Sequence, residues 1–388
     1  NDKCPPWSLQ ANQMSHDKNK KTVYYDNAVI KFFDIPIFYI PKLSHPDPSV
    51  DRRSGFLTPS FADTRNLGSS ISIPYYWTLG KNRDFTLSSR LFTSEHPLFL
   101  GEYRQAFNQA NLILDLGYTE GYNNTSKTKK PGSKSHIFSS FTKDFEGKNN
   151  SRNVLQLKTQ NISQDKYLKL YRIKSNLVNY NEDTLENSLD FTHEEENLFF
   201  GLKMAAYETI KNISDDKYEY ILPEMVLSKN LFSNSTLGSL DFQSNLKVHN
   251  YETNKLTKFL VNDLDWKFKE FKFLSGLQTK LLGNIKNVNY ESKNVSEYKD
   301  EFTNEIFGAL GILNEVDLYK KTVKDTSHTL TPKFLLRYAP GHMRKESNGA
   351  RLSHLNVFSL DRLNSFNNFE NGLSAALGFD YKLDQNNK

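Results

Sequence analysis

Along most of this chain apolar and polar residues alternate one by one, the period that sends successive side chains to opposite faces of an extended strand. Leu185, Leu189 and Phe191 share one face, with Glu186, Ser188 and Asp190 on the other. The same sorting puts Leu240, Phe242, Leu246 and Val248 opposite Asp241, Gln243, Asn245 and Lys247, and Leu264, Trp266 and Phe268 opposite Asp265, Lys267 and Lys269. Leu330, Phe334, Leu336 and Tyr338 oppose Thr331, Lys333 and Arg337. Leu373, Ala375, Leu377, Phe379, Tyr381 and Leu383 oppose Ser374, Asp380 and Lys382. These runs predict strands of about 9 to 15 residues, longer than most globular strands and suited to a tilted membrane crossing. No block with helical spacing is evident to cover such a sheet.

The first part, to about Pro59, reads differently. Val23 to Tyr25, Ala28 to Phe33 and Ile35 to Ile40 are apolar and aromatic runs, and in the second and third both faces are apolar, which predicts a sheet buried on two sides or enclosing something greasy. His45, Pro46, Asp47 and Pro48 read as a turn. Polar linkers of unequal length separate the later strands, with 121–135 expected to be the longest. Short connections alternating with long ones fit a transmembrane barrel, although a soluble sandwich has the same two-residue period. The stretch after Pro59 is long enough for some 13 to 16 strands.

Composition supports extended sheet. Only 37% of the 388 residues are hydrophobic, but 28 Phe and 20 Tyr concentrate that share in large rings suited to pleated surfaces and membrane-interface girdles. A net charge of +5, dispersed along the chain, argues against a nucleic-acid partner. No segment approaches the ~18 uninterrupted apolar residues of a membrane helix. The first residue is Asn1 with no signal segment ahead of it, so the start of the gene product is expected to lie upstream.

Candidate chemistry is sparse. His16, Asp17, His45 and Asp47 stand without further ligands at diagnostic spacing, and turn or surface roles suit them better than a metal. His193 with Glu194 to Glu196 reads as a solvated charge run. There is neither a phosphate-binding glycine loop nor a nucleophile elbow, so no enzymatic activity and no cofactor are expected. The single cysteine, Cys4, rules out a disulfide framework within the chain.

Several segments, in order, resemble the LPS-assembly (LptD/OstA) family of outer-membrane proteins. They are Cys4-Pro5-Pro6-Trp7-Ser8-Leu9-Gln10-Ala11, His16-Asp17, Tyr24-Tyr25, Asn27-Ala28, Ile35-Pro36-Ile37-Phe38-Tyr39-Ile40-Pro41 and His45-Pro46-Asp47-Pro48. Arg52-Arg53-Ser54-Gly55-Phe56-Leu57-Thr58-Pro59, Ile73-Pro74-Tyr75-Tyr76-Trp77, Phe85-Thr86-Leu87 and Gly101-Glu102-Tyr103-Arg104 follow, and Asn356 to Arg362 adds a late block.

The resemblance implies an all-β chain: the end of a periplasmic β-jellyroll over residues 1–58, then part of a large antiparallel transmembrane β-barrel over 59–388. The family barrel has roughly 26 strands, more than this chain supplies. The implied function is lipopolysaccharide transport and insertion into the outer leaflet through a barrel with a lateral gate. A general porin, an outer-membrane lipid-modifying enzyme and a soluble adhesive β-sandwich are the alternatives. Implied partners are lipopolysaccharide, an LptE-type plug lipoprotein, an LptA-type periplasmic bridge and outer-membrane lipids. By the same resemblance Pro59 and Pro74 belong to the gate, and Cys4 pairs with a cysteine outside this chain. Val29, Phe33, Ile35, Ile37 and Tyr39 read equally well as an acyl-chain groove or as a packed jellyroll core.

Overall fold

A computed structural model describes residues 7–50, 52–126, 129–211, 216–273, 276–321, 326–344, 352–363 and 365–385. It divides into two compact units: residues up to 106 together with 114–134, and 107–113 together with 135 onward. Both are built from antiparallel strands, the all-β architecture that the alternating sequence dictates.

The first unit opens with a small sheet of β1 (Trp7–Gln10), β2 (Gln13–Asp17), β3 (Thr22–Phe32) and β4 (Ile35–Pro46). One edge of β3 carries β1 and then β2, and the other carries β4. A two-residue turn joins β3 to β4, with Phe33 and Asp34 both left-handed at φ 47° and 65°. Those angles match the right-handed twist of a hairpin. They are uncommon for a residue as bulky as Phe33.

Two expectations need correction in this sheet. β4 runs on through His45 and Pro46, so the turn begins only at Asp47. Nor are both faces buried: Phe33, Ile35, Ile37 and Tyr39 are each more than half exposed. Of these runs Ala28 is buried, whereas Phe32, Phe33, Ile35, Ile37, Phe38 and Tyr39 are open surface, because no second layer lies over them among the described residues.

The same unit continues with β5 (Gly55–Phe56), β6 (Ser60–Thr64), β7 (Gly68–Gly80), β8 (Arg83–Phe92) and β9 (Leu98–Phe107), followed by β10 (Ala110–Thr119). β7 pairs with β5 and β6 along one edge and with β8 along the other, and β8 pairs with β9.

The second unit is a meander in which each long strand pairs with the next. Its members are β11 (Lys134–Glu146), β12 (Arg152–Ile162), β13 (Thr184–Glu195), β14 (Leu198–Thr209), β15 (Tyr218–Asn234), β16 (Gly238–Tyr251) and β17 (Lys255–Lys267). The two-residue β18 (Phe271–Lys272) is an annex on β19 (Leu277–Lys293). Then come β20 (Thr303–Val316), β21 (Leu318–Lys321), β22 (Thr326–Ala339) and β23 (Gly372–Gln385). β15 and β19 reach 17 residues, beyond the expected range.

Connections at one end of this meander are mostly tight, as at 196–197 and 235–237, whereas 163–183 and 340–371 at the other end are long. The expectation that 121–135 would be the longest linker is therefore wrong. Residues 163–183 also hold a short helix, α1 (Tyr167–Tyr171), with Tyr167, Leu168 and Tyr171 buried.

Register separates the two faces of the second sheet. Leu360 and Phe369 of the 340–371 connection pack on Phe259, Val261, Val288, Tyr290, Phe307 and Ala309, which defines a covered face. On the opposite, bare face lie Trp266, Leu310, Leu336, Tyr338, Leu373 and Leu377, all exposed. The face assignments predicted for 264–266, 330–338 and 373–383 follow this division.

Candidate functional site

β7 meets a broken partner. Phe56 pairs with Tyr75 and Ser60 with Ser72, so four residue steps on one side face three on the other. The surplus residue is a bulge. Leu57 N–H donates to the Pro74 carbonyl at 2.9 Å. In an antiparallel ladder such a pair exchanges two hydrogen bonds, and Pro74 has no N–H to return the second. Pro59 lies within the unpaired step, between β5 and β6. The structure thus brings the two sequence-predicted prolines to a single interruption. Beside it runs an aromatic row: Phe56 on Tyr75 with ring centroids 4.9 Å apart, Tyr75 on Trp77 at 4.4 Å, and Trp77 on Phe85 at 5.8 Å.

Just before this interruption, two adjacent arginines tie the small sheet to β7 and β8. Arg53 donates to the Thr22 hydroxyl on β3. Arg52 donates to the Tyr76 hydroxyl and the Lys81 carbonyl, each at 2.9 Å, and pairs with the buried Asp84. Arg104 meets the same carboxylate from β9 at 2.9 Å. Sequence reading placed Arg52 and Arg53 in a motif but gave them no task. The signal available was their position between two sheets, where a fork of N–H donors fixes an angle better than a point charge does.

On the small sheet, Val29 pairs with Tyr39 and Phe32 with Ile35, so the proposed groove residues lie together on the β3–β4 hairpin. The ring of Phe32 meets that of Phe33 edge-on at 4.7 Å. At the other end of the hairpin the Asp47 carboxylate accepts from the Ser49 amide at 2.8 Å and pairs with His16 at 2.6 Å. Ser49 first and His16 second hold that carboxyl below its ordinary range.

The covered face of the second sheet carries a polar latch that sequence reading missed. Arg337, 1% exposed, donates to the carbonyl of Leu360 at 2.6 Å and to that of Glu370, with its guanidinium 5.4 Å from the centroid of the Phe369 ring. Lys286, also buried, pairs with Asp361 and lies 3.5 Å from Asp263. Arg362 forks onto Glu370 within the connection itself. A buried charge is tolerated only when paired and hydrogen-bonded, so these contacts fix where the connection lies.

A stretch of 107 residues, 26% of the chain, is 39% identical to "LPS-assembly protein LptD" of Methylococcus capsulatus. Longer matches, 225 residues at 27% identity and 227 at 29%, relate 55% and 57% of the chain to the LptD proteins of Legionella pneumophila and Francisella tularensis subsp. holarctica. This chain is similar to LptD proteins over more than half its length. The matches span from a tenth to about a quarter of those LptD proteins' own length. No family model matches. A bacterial polysaccharide outer membrane secretin superposes with a TM-score of 0.25 and 8% identity over 81% of this chain and 90% of that one, too slight a likeness to bear on the fold.

Of the residues that the LptD resemblance singled out, Cys4 lies outside the described residues. Pro59 and Pro74 come together. The five hairpin residues come together elsewhere in the same unit.

Proposed function

We propose that this chain serves in the outer membrane as part of a protein that moves lipopolysaccharide into the outer leaflet. On this reading residues 1–58 are the end of a periplasmic jellyroll and 59–388 are part of a barrel wall. The observation that carries the proposal is the half-made Leu57–Pro74 pair beside Pro59, in a chain related to LptD over more than half its length. An amphiphile with apolar chains and a charged head cannot cross a closed wall whole, because one part always faces the wrong medium. A wall with one weak ladder solves this. The head travels inside while the chains leave sideways through the strand that pairs poorly.

Phe33, Ile35, Ile37 and Tyr39, all exposed, with the half-buried Val29 beside them, then offer acyl chains an apolar path toward the wall. Arg52 and Arg53 hold that path in line with the strands that open. An LptA-type bridge delivers the lipid, an LptE-type lipoprotein plugs the barrel, and Cys4 pairs with a cysteine outside this chain, as suits an oxidising compartment. Non-reducing against reducing mobility of the full-length protein reads that pairing.

Depleting the full-length gene tests the transport reading. Lipopolysaccharide modified at the cell surface should fall as the protein disappears, and an unchanged rate of arrival defeats the proposal.

A further inference from the structure

In the first unit, the stretch of chain between the small sheet and the interruption is fastened at every step. Arg52 directs each of its three nitrogens to a different part of the wall: Nε to the Tyr76 hydroxyl of β7, Nη1 to the Lys81 carbonyl in the following turn, and Nη2 to the Asp84 carboxylate of β8. A planar fork held at three points keeps one orientation. Two residues on, the Ser54 hydroxyl accepts from the Thr78 amide at 2.9 Å and lies 3.0 Å from the Thr78 hydroxyl. Gly55 and Phe56 then pair with Tyr76 and Tyr75. Full pairing stops at Leu57, to which Pro74 returns no hydrogen bond.

Asp84 closes this fastening. It is buried, and its two oxygens take different arginines: Oδ2 takes Arg52 of the connecting stretch, and Oδ1 takes Arg104 of β9 at 2.9 Å. Without its charge the two guanidinium groups would face one another across a poorly solvated gap. Arg53, next to Arg52, reaches back to the Thr22 hydroxyl. Thr22 is the first residue of β3, at the end of the hairpin remote from the Phe33 turn. By fixing Arg52, the Asp84 carboxylate therefore also fixes where Arg53 can hold the near end of the exposed apolar hairpin.

We infer that Asp84 is a positioning residue for the passage of lipid from the hairpin to the wall. It touches no lipid itself. It keeps the hairpin aligned with β7 while the weak step beside Pro59 gives way, so that a chain leaving the hairpin meets the opening. The inference rests on the transport reading above, and it assigns the alignment to one buried carboxylate.

Two exposed phenylalanines bracket the joint, Phe33 at the hairpin turn and Phe56 beside the interruption. In cells making the full-length protein, each is replaced in turn by a photoreactive phenylalanine analogue, and the lipopolysaccharide captured on illumination is measured by immunoblot. Asp84→Asn should keep capture at Phe33 and lower capture at Phe56 by about tenfold, the lower end of what a hydrogen bond to a charged group is worth. Arg52→Met should do the same from the exposed side of the joint, and Asp84→Glu should restore much of the ratio. Asp144→Asn, which breaks an exposed arginine pair in the second unit, should leave the ratio alone. Heat-modifiable gel mobility reports the folded fraction of each variant. A fault of folding alone lowers both captures together, so an unchanged ratio in Asp84→Asn and Arg52→Met overturns the inference. No capture at either position in the unaltered protein defeats the transport reading instead.

Discussion

Pro74 withholds a hydrogen bond where Arg337 supplies two. Replacing Pro74 with Ala returns an N–H to the Leu57 carbonyl and strengthens the pair by about 1 kcal/mol. In the complete protein, Pro59→Ala combined with Pro74→Ala should slow the arrival of lipopolysaccharide at the surface several-fold, and unchanged export would remove both prolines from the mechanism. Arg337→Met works the other way. It strands the Leu360 and Glu370 carbonyls in a dry site, at about 1–3 kcal/mol each, and should lower the midpoint of urea unfolding in detergent. Asp47 brings in pH. Its folded carboxyl titrates below the ordinary 3.8, so its contribution is complete above that value and fades as pH falls through the lower folded one. Amide exchange near Thr22 and Asp47 should therefore quicken only in strong acid, and Asp47→Asn should abolish the change.

At the scale of elements, Lys286 shows how a connection is held. Lys286→Ala leaves Asp361 facing Asp263 with no cation between them, two like charges in a poorly solvated site. Limited proteolysis should then cut within 352–371 while β17 to β22 stay intact, and unaltered resistance would show that the apolar contacts suffice alone. These contacts also mark where sequence reading stopped. The strands were legible because each needs only a local alternation, which is why the faces of β17, β22 and β23 could be assigned residue by residue. The prolines were legible because a missing N–H is a property of the residue itself. Lys286 with Asp361, and Arg337 with two carbonyls, depend on partners brought together by folding, and nothing in the local pattern marks them. The exposed β3–β4 hairpin failed for a related reason: an apolar run on both faces says that something covers it, not what.

Across the whole molecule the two faces of the long sheet obey different rules. Leu310, exposed on the bare face, should not tolerate charge if that face meets lipid: Leu310→Arg should cost about 2–4 kcal/mol near the membrane midplane and reduce the folded fraction on a heat-modifiable gel. A change without effect would place that face in water. Because nearly every long strand of the second unit pairs with the one before it, the sheet can be laid down hairpin by hairpin in the order of the chain, with little loop entropy to overcome at each step. The latch breaks that rule. Asp361 follows Lys286 by 75 residues, so β19 must take its place with a cation that has only Asp263 for company until the last long connection arrives. Assembly of this wall therefore has a clock in it: the strands come first, and the charge buried among them is settled last.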